Sequence, residues 1–173
     1  VIAGMLHRAA ALCALTNCTT NSYHRLVLNQ EAPVYRFFSG PNRTAAIRIP
    51  SYARSSDNMR IEYRVPDGAS NPYLSMASIL MAAVDGIGNE MNPEKMGFGP
   101  IDQNVYSSGY KASDLKTLPR SLDEALAKGR AGIEKSLGKL VEKGPVRDVI
   151  RNPLHLSTTL SFSVSMWMTL PSW

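Results

Sequence analysis

The sequence is poor in several residues that would give a function away at sight. It has two cysteines, Cys13 and Cys18, among 173 residues, with no CxxC spacing. That excludes a disulfide scaffold and a thiolate metal centre, and it points to a reducing, cytoplasmic compartment. Its three histidines, His7, His24 and His155, are not spaced as a metal-binding set. Long apolar runs are missing too: the final "LSTTLSFSVSMWMTLPSW" is broken by Ser and Thr and is too short and polar to read as a membrane span. Nor is there a block of like charge. The net charge of +5 is dispersed along the chain, so nucleic acid is not the expected partner, whereas a phosphate-handling site is compatible with it. Ser22 and Ser39 have no base at a suggestive spacing, which leaves a hydrolase reading weak.

What is present is the make-up of one globular domain, 44% hydrophobic and 19% charged. The chain starts without Met inside "VIAGMLHRAAALCAL", whose apolar residues recur at helical spacing, as if a helix had been cut. A polar connection, "TNCTTNSYHRLVLNQEAP", precedes two β-rich runs, "VYRFFS" and "AAIRIP", separated by a turn signal at Gly40, Pro41 and Asn42. A third strand falls at residues 60–65. "SNPYLSMASILMAAVDGIGNEMNP" reads as a helix capped by Ser70 or Asn71 and started by Pro72, with its methionines as core residues. After a Gly/Pro-rich loop, Ser121 and Glu124 have capping-box spacing for a further helix, which Gly129, Gly132 and Gly138 weaken. The expected fold class is α+β, an antiparallel sheet backed by helices and incomplete as it stands.

The third strand, "RIEYRVPD", puts Arg60, Glu62 and Arg64 on one face and Ile61, Tyr63 and Val65 on the other. With charged faces aligned across paired strands, Arg43, Arg48, Arg60 and Arg64 would converge on Glu62. Guanidiniums gathered so closely repel one another unless an anion sits among them, and their planar forks match phosphate or carboxylate oxygens. The same row also fits a solvated sheet face with ion pairs worth under about 1 kcal/mol.

The order of these segments resembles glutamine synthetase. "TNCTTNSYHRLVLNQEAPV" is similar to that family's Asn-rich segment with its following Arg and flap Glu, and "PNRTAAIRIP" to its arginine-rich signature. "MRIEYRVPDGASNPYLSMASILMAAVDGI" resembles the family's strand and next helix almost throughout, and "GPIDQNVY" and "LPRSLDEAL" resemble later landmarks. The likeness runs from residue 1 to about Leu126, so residues 1–126 read as part of the catalytic domain and 127–173 as a divergent segment.

The resemblance implies a role for each position. Arg25 and Arg64 would hold substrate glutamate, Arg48 and Arg60 the nucleotide, and Arg43 the phosphoryl group in transfer. Glu62 would ligate a divalent metal, and Glu31 would close the site and act as base toward ammonium. Tyr106 falls where some members carry a regulatory modification. The implied reaction makes glutamine from glutamate and ammonia through γ-glutamyl phosphate, with ATP and Mg²⁺ or Mn²⁺, in a ring-shaped homo-oligomer, a dodecamer, without nucleic acid or membrane. The chain departs from the family in having Leu28, Asn29 and Gln30 before Glu31, Cys18 after Asn17, and His24 before Arg25. Those changes suit a relative that joins glutamate to another amine, and a non-catalytic relative is the third reading.

Overall fold

In the first helix, α1 (Ile2–Thr16), small and aliphatic side chains are buried on nearly every side, Ala3, Gly4, Met5, Leu6, Ala9, Ala10, Leu12, Cys13 and Ala14 among them. A helix apolar all round has to be covered all round, and α1 is accordingly the centre of the helical layer. The computed structural model describes residues 1–28, 32–53, 60–106 and 112–141. Two long helices pack on α1: α3 (Pro72–Gly88) and α4 (Leu122–Val141). A short helix, α2 (Thr20–Arg25), lies in the segment read from sequence as a polar connection. Thr19 caps it by accepting from the Ser22 amide, while Ser22 Oγ accepts from the Thr19 amide. The sequence cue was there in Thr19 and Ser22, but six residues carry too little periodicity to register.

Glycine and alanine set how closely the helices approach. A Cβ at Gly86 would lie 2.6 Å from Gly4 Cα, so neither glycine can carry a side chain where α1 crosses α3. The Arg8–Asp85 ion pair, 2.9 Å, spans the same crossing. Gly129, which weakens α4 on helix propensity, is there because a Cβ would collide with Ala14 Cβ of α1. Ser121 and Glu124 do start α4: Ser121 Oγ accepts from the Glu124 amide, and the Glu124 carboxylate reaches back to the Arg120 amide.

On α3 the expected core methionines prove exposed, Met76 at 70% and Met81 at 42%, together with Tyr73, Leu80, Val84 and Ile87. The side that α3 buries is instead Ser75, Ala82, Ala83 and Gly86. Close helix approach selects small residues, so the large apolar ones are turned away from α1. Asn71 caps this helix through the Tyr73 and Leu74 amides, with Pro72 at its first position.

The three-stranded sheet has the order β1 (Phe38–Ser39), β2 (Ile47–Arg48), β3 (Glu62–Tyr63). It is mixed rather than wholly antiparallel: β2 and β3 run antiparallel, but β1 and β2 are parallel, with Phe38 opposite Ile47 and Ser39 opposite Arg48. The turn signal at Gly40–Asn42 therefore opens a loop that carries the chain back to run beside β1, and no tight hairpin forms there. Phe38, Ile47, Val65, Phe98 and Leu118 join α1 in the main core. A smaller cluster holds Phe37, Ala45 and Val105 against Tyr35, Ile101, Tyr106 and Leu115.

Candidate functional site

The charged row of β3 is built by strand register. Arg48 stands directly opposite Glu62 in the antiparallel pair, and Arg64 lies two residues beyond Glu62, on the same side. Glu62 divides its carboxylate between them: Oε2 is 3.2 Å from Arg48 Nη1, and Oε1 is 3.3 Å from Arg64 Nε. The remaining N–H groups are less well served. Arg48 Nε and Arg64 Nη1 are buried and have no hydrogen-bond partner among the described residues. Buried donors of this kind cost folding free energy unless something accepts from them, and an anion between the two guanidiniums would do so.

Arg25 joins this end of the sheet through backbone. From the C-terminus of α2 its Nη2 donates to Val65 O at 2.7 Å and to Pro66 O at 3.2 Å, immediately after Arg64. Asn17, wholly buried, grips the same Val65 carbonyl from the end of α1 through Nδ2 at 2.9 Å, and its own carbonyl accepts from Tyr23 Oη. Asp67, which sits at the following turn, accepts from the Ala69 amide. Burial pushes its carboxyl upward, but hydrogen bonds from Ser22 and the Ala69 and Gly68 amides, with the Arg25 charge, outweigh this and hold it below the ordinary value. Asn17 and Asp67 thus fix the segment that aims Arg64 and receives Arg25. Composition marked neither; the only local signal was the Asp67-Gly68 turn pair.

The other expected residues are placed differently. Arg60 is exposed and its guanidinium lies 4.9 Å from the Tyr52 ring centroid, stacked over that ring, so it does not join Arg48 and Arg64 on Glu62. Arg43 is exposed on the loop before β2. Tyr106 packs its ring 6.2 Å from that of Tyr35, centroid to centroid, with its hydroxyl buried. Glu31 lies outside the described residues, as does His155. Among the described residues no set of three or more His, Cys, Asp or Glu comes together to hold a metal ion. Glu62 therefore offers one carboxylate where Mg²⁺ needs near-octahedral oxygen coordination, and the described residues do not make a metal site on their own. No described helix is long and apolar enough to cross a membrane.

Other titrating groups sit in the core, away from this row. Burial pushes the Cys13 thiol up to about 12, which makes it inert as a nucleophile. Tyr63, on the opposite face of β3 from Glu62, is raised well above the usual phenol value by burial, and its hydroxyl has no hydrogen-bond partner among the described residues.

The chain is similar to known proteins in sequence and in fold. Residues 1–139 match the family described as glutamine synthetase, catalytic domain. The glutamine synthetase of Aquifex aeolicus (strain VF5) is 50% identical over 126 residues, 72% of this chain and 26% of that protein. That of Sulfolobus acidocaldarius is 49% identical over 130 residues, 73% of this chain and 27% of that protein. A solved chain from a GmaS/ADP complex (conformation 1) superposes with a TM-score of 0.68 at 29% identity, covering 99% of this chain and 36% of its own length. The chain spans about a quarter of the length of these two glutamine synthetases. With most of its length matched to the family and its fold shared with a solved relative, this chain belongs to the glutamine synthetase family, as part of its catalytic domain.

Proposed function

We propose that the chain contributes the arginine-rich side of a ligase site that makes glutamine from glutamate and ammonia at the expense of ATP. The observation that carries this reading is Glu62 held between Arg48 and Arg64 while buried N–H groups of both arginines have no acceptor among the described residues. An oxygen-rich anion answers that arrangement.

The chemistry demands such groups. In the first step an oxygen of the glutamate γ-carboxylate attacks the γ-phosphorus of ATP, the bond to the bridging oxygen breaks, and ADP departs. Two anions must approach for this, and guanidiniums offset their repulsion. In this reading Arg25 and Arg64 hold glutamate, Arg48 and Arg60 the nucleotide phosphates, and Arg43 the phosphoryl group in transfer. In the second step ammonia attacks the acyl carbon of γ-glutamyl phosphate and inorganic phosphate leaves. Glu31 accepts the proton that turns bound ammonium into the nucleophile. Glu62 is proposed as one ligand of a Mg²⁺ or Mn²⁺ ion that neutralises phosphate charge, the other ligands coming from outside the described residues. The working protein is proposed to be a homo-oligomeric ring, with Tyr106 as its candidate regulatory position.

A second reading is a γ-glutamyl-amine ligase. It is favoured by Leu28, Asn29 and Gln30 ahead of Glu31, where the chain departs from the family's pattern. One experiment separates the readings. The matched quarter of the Aquifex aeolicus enzyme is replaced by this chain, and ADP release is measured with glutamate plus ammonia, methylamine or a polyamine. Glutamine formation supports the first reading; turnover with an amine alone supports the second. Glu31→Gln should lower amide formation by roughly 10²-fold or more while glutamate-dependent ATP breakdown persists.

A further inference from the structure

The loop carrying Arg43 is stapled from both sides by groups that the proposed reaction does not use. Ser39, the last residue of β1, is wholly buried, and its hydroxyl donates to Asp102 Oδ1 at 2.6 Å, the short distance of a charge-assisted bond. The same Asp102 oxygen accepts from the Gly40 amide at 3.4 Å. Ser39 Oγ in turn accepts from the Asn42 amide at 3.1 Å. Asn42 then uses both ends of its own side chain. Its Nδ2 donates to Gln103 O at 2.8 Å and Ile101 O at 3.4 Å, and its Oδ1 accepts from the Thr44 amide at 2.9 Å and the Thr44 hydroxyl at 2.7 Å. Arg43 is the residue between them, so the chain on either side of it is held by one side chain.

Asp102 is itself fixed to β1, because Phe38 N donates to Phe98 O at 2.9 Å and Ile101 N donates to Phe38 O at 3.0 Å. Ser39 also stands opposite Arg48 in the sheet. One hydroxyl therefore ties the Arg43 loop to the strand that presents Arg48, and the Asp102 carboxylate decides which way that hydroxyl points.

We infer that Asp102 is a positioning residue for Arg43, acting through Ser39 and Asn42. This rests on the proposed function, in which Arg43 meets the phosphoryl group. Asp102 touches no substrate in this scheme; it sets the direction from which the Arg43 guanidinium arrives. Displacements of an ångström at such a group cost roughly 10²-fold in rate.

The test is a double-mutant cycle in the chimera described above, paired with amide exchange on the 173-residue chain itself. Asp102→Ala should lower kcat by roughly 10-fold to 10²-fold with little change in KM for ammonia. Asp102→Asn, which keeps an acceptor oxygen, should recover most of that loss. The Asp102→Ala/Arg43→Ala double variant should be no slower than Arg43→Ala alone, since two residues acting through one group are not additive. Fully additive losses, or an Asp102→Ala variant at the wild-type rate, overturn the inference. If the wild-type chimera turns over neither ammonia nor an amine, the functional reading falls, and the staple is judged by exchange alone. There the Asn42 and Thr44 amides should exchange about tenfold faster or more in Asp102→Ala but not in Asp102→Asn. Equal exchange in the wild type and Asp102→Ala would overturn it whatever the activity.

Discussion

Gly4 of α1 and Gly86 of α3 lie so close that a Cβ on Gly86 would come within 2.6 Å of both the Cα and the N of Gly4. Overpacking a rigid backbone contact of this kind costs about 1–3 kcal/mol, and more when the helices cannot separate. Gly86→Ala should therefore lower the urea midpoint clearly. Gly88→Ala is the matched control two residues on, where nothing lies within 4 Å of the added methyl. It should leave the midpoint unchanged or raise it slightly, because alanine restricts the unfolded chain. Equal effects of the two substitutions would mean that the helices do not cross as described.

Arg64 forms an ion pair through Nε and retains a buried Nη1 without a hydrogen-bond partner among the described residues. Lysine at this position keeps the charge but lacks the planar fork. In the chimeric enzyme, Arg64→Lys should cost about 2–4 kcal/mol in kcat/KM for glutamate. Steady-state kinetics at saturating ATP measure this, and an unchanged kcat/KM would remove Arg64 from glutamate binding.

Tyr63 buries a hydroxyl that no described residue accepts from or donates to. A buried unpaired polar group of that type costs about 1–3 kcal/mol, so its removal should not hurt. Tyr63→Phe is expected to be as stable as the wild type or up to about 1 kcal/mol more stable by denaturant unfolding. A clear loss of stability would reveal a hydrogen bond to that hydroxyl.

His7 is exposed on α1, yet partial desolvation of its ring first, then the charges of Arg8, Arg36 and Lys116, with Asp85 opposing them, hold it below its ordinary value of 6.5. A histidine whose folded pKa is lowered resists protonation in the native state, while the unfolded chain takes the proton. Its share of stability is thus complete above 6.5 and is lost as pH falls from there through the lower folded value. Urea midpoints for the wild type should decline from pH 7 toward pH 5 more steeply than those of His7→Gln. Parallel declines would mean that His7 takes its proton equally in the folded and unfolded chain.

Much of this molecule was legible in its residues one at a time. The spacing of apolar residues marked α1 and α3, Asn71 and Pro72 marked where α3 begins, and alternation along residues 60–65 correctly put Glu62 and Arg64 on the face opposite Tyr63. Those are local properties, set by the 3.6-residue and 2-residue periods of the backbone. What the spacing could not decide was which elements meet. Large apolar residues on α3 read as core, yet the helix is pressed so close to α1 that its fully buried residues are the small Ser75, Ala82, Ala83 and Gly86, and Met76 and Leu80 are left outside. Strand signals at 34–39 and 45–50 suggested a hairpin, but their parallel pairing followed from a loop held by Asp102, more than fifty residues further along the chain. Arg60 and Glu62 alternate in phase, yet only tertiary placement beside Tyr52 draws Arg60 away from the carboxylate that Arg48 and Arg64 share. Periodicity is a property of one segment; register, close approach and the choice of partner depend on atoms far apart in sequence, and those only the folded chain brings together.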